Sequence, residues 1–330
     1  MKNKKIRVSV VLAAVLLAFV FALICSRCLA VSTFSMTSPE IAVKEADVDV
    51  EATEATEAIV TESPLSIEEK VKSKIAGKNI SILGDSISTF CLGGDSWSNN
   101  PEYNTTIAGN DVWYNSQQRL KSVDDTYWKI IIDRFSLNLV VNNSYSGNLM
   151  MDSAWGNAGF IRAEELHANT DGMNPKGTKP DIIIIYLGTN DYDLNRHIGT
   201  ADDIDTNNYV MDDEGKFQSY RVKSFIDAYA YAIYKINCLY DEPDIFVITL
   251  LPNGMMPESI VPGLRGKYND AIKYMSQLYS NVTVVDLDAD SQISTENYYK
   301  YYADGCLHPN EEGMKSIADA VFKAFERRYV

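Results

Sequence analysis

Gly84-Asp85-Ser86 and the pair Asp304 and His308 are the residues whose types could do chemistry together. Ser86 follows the apolar run Ile80-Ser81-Ile82-Leu83, so it sits at the carboxyl end of a strand, in residues that suit a turn and the first turn of a helix. Open α/β sheets place their chemistry at that edge, and free N–H groups at a helix N-terminus stabilise an anion. A serine hydroxyl is a poor nucleophile until an adjacent base removes its proton. The chain has three histidines, His167, His197 and His308. His308 stands just before the last helix with Asp304 four residues earlier, whereas His167 and His197 read as surface or packing residues. Ser146-Gly147-Asn148 and Gly188-Thr189-Asn190-Asp191 end two further strands and share the edge of Ser86 if the sheet is parallel. Gly-Asp-Ser alone is ordinary turn chemistry; four such blocks in order are much harder to dismiss.

The elements that must position these residues follow from the hydrophobic pattern. Strands are expected around residues 80–83, 137–142, 182–187, 244–251 and 282–287. The run Ile182-Ile183-Ile184-Ile185-Tyr186-Leu187 is typical of a central parallel strand buried on both faces. Between the strands, Trp128, Ile131, Ile132 and Phe135 mark a helix at i, i+3, i+4, i+7, and Val222, Phe225, Ile226, Tyr229, Ile233 and Ile236 mark another. Further helices are expected at residues 162–167, 268–279 and 310–328. Alternating strands and helices predict one α/β domain from about Lys78 to Val330, its parallel sheet covered on both faces by right-handed crossovers.

With these blocks in place, the sequence resembles the SGNH hydrolases, or GDSL-type esterases and lipases. Gly84-Asp85-Ser86 matches the serine block, Gly147 the glycine block, Gly188-Thr189-Asn190-Asp191 the asparagine block and His308-Pro309 the histidine block. The resemblance covers the whole folded part and implies a flavodoxin-like three-layer α/β/α sandwich on a five-stranded parallel sheet. It implies that Ser86, His308 and Asp304 are catalytic and that the backbone N–H groups of Ser86 and Gly147 and the side-chain amide of Asn190 form the oxyanion hole. No cofactor or metal is implied. Ser86-Ile87-Ser88 lacks the second glycine of a Gly-x-Ser-x-Gly elbow, which disfavours an α/β-hydrolase. One departure is the histidine block, where three residues separate Asp304 from His308 instead of the usual two. The two meet if the segment forms a helical turn, since i and i+4 share a face; a looser loop leaves His308 oriented by a backbone carbonyl. Asp304 is the favoured orienting group.

At 330 residues with a formal net charge of −15, the chain has ample apolar content for a core and the wrong sign for nucleic acid. Lys2, Lys4, Lys5 and Arg7 precede an uncharged run from Val8 to Cys25. Residues 1–30 therefore read as a membrane anchor or a cleaved signal, with the anchor favoured, and the rest of the chain is expected to be exported as a membrane-anchored or secreted protein. Residues 31–75 read as an acidic flexible linker, and residues 76–330 as the SGNH hydrolase domain; Ser66 to Ile75 is the one part of the linker with a helical alternative. Cys91, Cys238 and Cys306 allow one bridge, Cys91–Cys306 at the pocket rim being the candidate, but no stapled scaffold.

The stretch from Cys91 to Val123 carries Trp97, Tyr103, Trp113 and Tyr114, which suit either sugar-ring faces or packing over the sheet edge. Tyr299, Tyr301 and Tyr302 suit pocket lining or core equally. Residues 203–214 echo a calcium loop, but Asn208 replaces the glycine of the sharp turn, and a hairpin at Asp213-Glu214-Gly215 is the favoured reading. These features point to a monomeric serine esterase acting on small-molecule or polysaccharide acyl esters, with O-acetyl groups on carbohydrate foremost. A lipid-directed esterase or lysophospholipase, or a non-catalytic glycan-binding pseudoenzyme, are the alternatives.

Overall fold

The sheet runs β2-β1-β3-β4-β5 with every pairing parallel. This comes from a computed structural model that describes residues 65–90, 120–151, 158–167, 177–255 and 260–330. The strands are β1 (Asn79–Gly84), β2 (Asn138–Ser144), β3 (Ile182–Tyr186), β4 (Asp244–Ile248) and β5 (Val282–Val285). The helices are α1 (Ile67–Ile75), α2 (Tyr127–Phe135), α3 (Gly159–Arg162), α4 (Thr189–Asp193), α5 (Phe225–Tyr240), α6 (Leu264–Leu278), α7 (Leu287–Asp290) and α8 (Glu311–Tyr329).

Side chains alternate across a strand, and β3 shows the result. Ile182, Ile184 and Tyr186 pack into one core layer with Trp128 and Phe135 of α2 and Ile317, Val321 and Phe325 of α8. Ile183 and Ile185, with Leu187 just beyond the strand, pack into the other with Phe225, Tyr229 and Ile233 of α5 and Tyr268 and Ile272 of α6. The fold is thus the flavodoxin-like three-layer sandwich. Its strand order reverses direction at β1 and β3, and ligands of such sheets bind outside the carboxyl ends at that switch point. Ser86 follows β1, Asn190 follows β3 and Gly147 follows β2.

Three expected boundaries move. Residues 67–75, assigned to the linker, form α1: Ser66 caps it reciprocally with Glu69, and Val71 and Ile75 are fully buried in the core. The folded unit therefore starts at Leu65. Glu68 and Glu69 occupy the first turn of α1, where carboxylates favour a helix. The helix expected at 162–167 lies earlier, at Gly159–Arg162, and Ser86 opens a three-residue 3₁₀ turn, Ser86–Ser88, instead of an α-helix. Residues 203–214 contain short 3₁₀ turns and part of the hairpin bridged by Met211 and Phe217, in which Asp212 Oδ1 accepts the N–H groups of Glu214 and Lys216. Among the described residues no group of three His, Cys, Asp or Glu side chains is placed to hold a metal ion.

The expected membrane segment, the aromatic stretch with Trp97, Tyr103, Trp113 and Tyr114, and Cys91 lie outside the described residues. Among the described residues no helix is long and apolar enough to cross a membrane.

Candidate active site

Asp85 ends β1 by capping the turn that follows it: its Oδ1 accepts the N–H of Ile87 at 3.0 Å. Thr89 closes the same turn, its Oγ1 donating to the Ser86 carbonyl at 2.8 Å. Ser86 is thereby fixed at the sheet edge, 4% exposed. His308 Nε2 lies 2.9 Å from Ser86 Oγ, and its Nδ1 lies 2.7 Å from Asp304 Oδ2.

The additional residue between Asp304 and His308 is accommodated without a helical turn. Gly305 takes φ of 77°, a left-handed conformation that favours glycine. The chain curls around the Asp304 carboxylate, whose Oδ1 accepts the N–H groups of Cys306, Leu307 and His308 at 2.9, 2.8 and 3.1 Å. Ala303 N–H donates to the His308 carbonyl and Asn310 N–H to the Tyr301 carbonyl, closing the loop against the start of α8. Burial alone would push the Asp304 carboxyl up, but the hydrogen bonds from His308, Leu307 and Cys306 outweigh it and hold it at about 2. Asp304 is therefore a carboxylate at neutral pH and can only accept. Nδ1 of His308 must then carry the proton it donates, which leaves the Nε2 lone pair facing the Ser86 hydroxyl.

The other two blocks meet each other. Asn190 Nδ2 donates to the Asn148 carbonyl at 2.8 Å, beside Gly147, which has φ of 72°. Asp191, fully buried, accepts the N–H groups of Met150 at 2.7 Å and Met151 at 3.2 Å. Burial pushes its carboxyl up to about 7 despite those two bonds. Asn190 and Asp191 thus hold the Gly147 loop at successive points. Among the described residues, the N–H groups of Ser86 and Gly147 donate to no acceptor. Two free backbone donors and a side-chain amide are groups of the kind that can stabilise an oxyanion.

Residues outside the four blocks complete the arrangement. Pro252-Asn253-Gly254 links the asparagine and histidine blocks: Asn253 Nδ2 donates to Asp193 Oδ1 at 2.9 Å, and Gly254 N–H donates to the Cys306 carbonyl at 2.6 Å. Its one sequence signal is its place as a strand end. Tyr302 is a core residue whose hydroxyl donates to the Pro252 carbonyl, Tyr301 packs against the core, and Tyr299 is 54% exposed. His167 lies at 3.3 Å from the Tyr240 hydroxyl, outside the site. His197 lines an open depression of about 700 Å³ with Arg196, Gly199 and Thr200, which includes none of the site residues.

No curated protein matches the chain. Among solved structures it is similar to a GDSL-like lipase from Bacteroides ovatus, with 23% identity and a TM-score of 0.50 over 77% of this chain and 99% of that one. A protein from Lactobacillus plantarum is similar at 16% identity and a TM-score of 0.50, over 78% of this chain and 100% of that one. At these identities the likeness concerns the fold. The sequence pattern described as GDSL-like Lipase/Acylhydrolase matches residues 78–325, three quarters of the chain, and includes every block that builds the site. The chain belongs to the GDSL-like lipase/acylhydrolase family, and is an ester-hydrolysing serine hydrolase.

Proposed function

We propose that the protein removes small acyl groups from carbohydrate, O-acetyl esters above all, on the outer side of the cytoplasmic membrane. The observation that carries the catalytic part is the hydrogen-bonded line Asp304–His308–Ser86 at the switch point of the sheet. In this mechanism Ser86 Oγ attacks the ester carbonyl carbon while its proton passes to His308 Nε2. The carbonyl oxygen becomes an oxyanion, held by the N–H groups of Ser86 and Gly147 and by the Asn190 amide. Collapse breaks the bond to the leaving alkoxide, which takes the proton from Nε2 and departs as the alcohol. Water then attacks the acyl-serine, gives its proton to Nε2 and releases the carboxylic acid, and Nε2 returns the proton to Ser86. Asp304 stays ionised throughout and stabilises the imidazolium.

The lysine-flanked N-terminal run supports the location, and the tryptophans and tyrosines between Cys91 and Val123 support a sugar substrate. The test is a series of p-nitrophenyl esters together with acetylated xylan and acetylated monosaccharides. Rates are expected to fall steeply beyond acetate or butyrate and acetate is expected to be released from the sugars. Preference for chains of about ten carbons or more, each CH₂ contributing up to ~0.8 kcal/mol of burial, would overturn the carbohydrate reading in favour of a lipid substrate.

A further inference from the structure

Arg162, the last residue of α3, is 2% exposed and belongs to none of the four blocks. Its Nη2 donates to the Gly84 carbonyl at 3.0 Å, and its Nη1 donates to Asn143 Oδ1 at 2.9 Å and to the Asn143 carbonyl. The guanidinium also lies over the Tyr145 ring, 4.7 Å from its centroid. Gly84 stands two residues before the nucleophile, and Tyr145 stands two residues before Gly147. The β1–β2 ladder ends at Gly84 and Ser144, and past that point the Gly84 carbonyl takes two donors, Tyr145 N–H at 3.2 Å and Arg162. The rest of α3 supports the same loop, because Gly159 N–H donates to the Leu149 carbonyl and Phe160 N–H to the Met150 carbonyl.

We propose that Arg162 is a positioning residue: it braces the ends of β1 and β2 so that the Ser86 and Gly147 N–H groups keep the spacing an oxyanion requires. The inference rests on the catalytic reading above. Burying a cation costs several kcal/mol, and a neutral amide would satisfy one or two of these acceptors without that cost. The planar fork is what reaches acceptors on two strands at once. Burial lowers the Arg162 pKa to about 10, so the group is still a cation at neutral pH. Its neighbours in charge are Asp85 and Glu165, with the Tyr145 hydroxyl alongside.

The test uses the full chain with Arg162→Lys, Asn143→Ala and Ser86→Ala, measuring kcat and KM on p-nitrophenyl acetate and thermal melting. Concentrations are normalised to folded protein by circular dichroism. Losing one oxyanion donor outright costs about 10²–10³ in kcat, so a displaced pair in Arg162→Lys is expected to cost about 10- to 100-fold, with KM within about threefold. Asn143→Ala removes one acceptor and leaves two, and about a three- to tenfold fall in kcat is expected. An Arg162→Lys that melts earlier but keeps kcat within about twofold, or that changes KM alone, overturns the proposal. Should Arg162→Lys fail to fold, unchanged kcat in Asn143→Ala overturns it. Full activity in Ser86→Ala would refute the catalytic reading itself and this inference with it. An inactive Ser86→Ala beside a fully active Arg162→Lys refutes the inference alone.

Discussion

Asp304→Asn separates a catalytic triad from a serine–histidine dyad, because the surroundings of the carboxylate dictate which way the new amide faces. Oδ1 accepts three backbone N–H groups at 2.8 to 3.1 Å, and Oδ2 accepts one ring nitrogen at 2.7 Å. An asparagine that turned its NH₂ toward the three N–H groups would set donors against donors and open the loop. The amide oxygen therefore keeps the backbone contacts, and the NH₂ faces His308 Nδ1. A donor there forces Nδ1 to accept, moving the ring proton to Nε2, where it opposes the Ser86 hydroxyl proton. The fold survives, but the base is in the wrong tautomer. The equivalent change in a serine protease lowers kcat about 10⁴-fold, which is about 5 kcal/mol of barrier. The assay is kcat on p-nitrophenyl acetate from pH 6 to 9 beside a melting curve. A loss below about tenfold with unchanged melting would refute the reasoning and make Asp304 a structural residue of its loop.

Ser86→Ala removes the covalent route and leaves the oxyanion donors; kcat is expected to fall by several orders of magnitude, toward the ~10⁶ seen for such nucleophiles elsewhere, and comparable activity would sink the mechanism. Asp85→Asn tests the buried acid beside the nucleophile, whose carboxyl is raised to about 7, chiefly by burial. Between its unfolded value near 4 and that folded value the native state binds the extra proton, so Asp85 makes stability fall as pH rises through this window. Asn keeps the cap to Ile87, and Asp85 Oδ2 has no partner among the described residues. Asp85→Asn is therefore expected to raise the melting temperature at pH 8 with the gain vanishing below about pH 4; a loss of stability at pH 8 would refute this account.

How much of the site was legible in the sequence depends on the range over which each residue acts. A strand buried on both faces must be apolar at every position, so Ile182–Leu187 reads directly, and the four blocks read directly because a strand end, a turn residue and a cap are neighbours in the chain. The capping box of α1 was equally local, but with two buried residues, Val71 and Ile75, its pattern was too short to outweigh the acidic composition around it. The Asp304–His308 contact was expected through a helical turn; it arises instead because one carboxylate oxygen gathers three N–H groups around a left-handed Gly305, a geometry that periodicity does not describe. Arg162 was least legible of all. Its acceptors are a backbone carbonyl 78 residues away and an asparagine 19 residues away, and a carbonyl has no residue type to recognise. The reacting groups are drawn from a few chemically capable side chains, so they announce themselves by type. The groups that fix their spacing need only the right reach, and Arg162 and Pro252-Asn253-Gly254 acquire that meaning only once β1, β2 and β4 end at the same edge of the sheet.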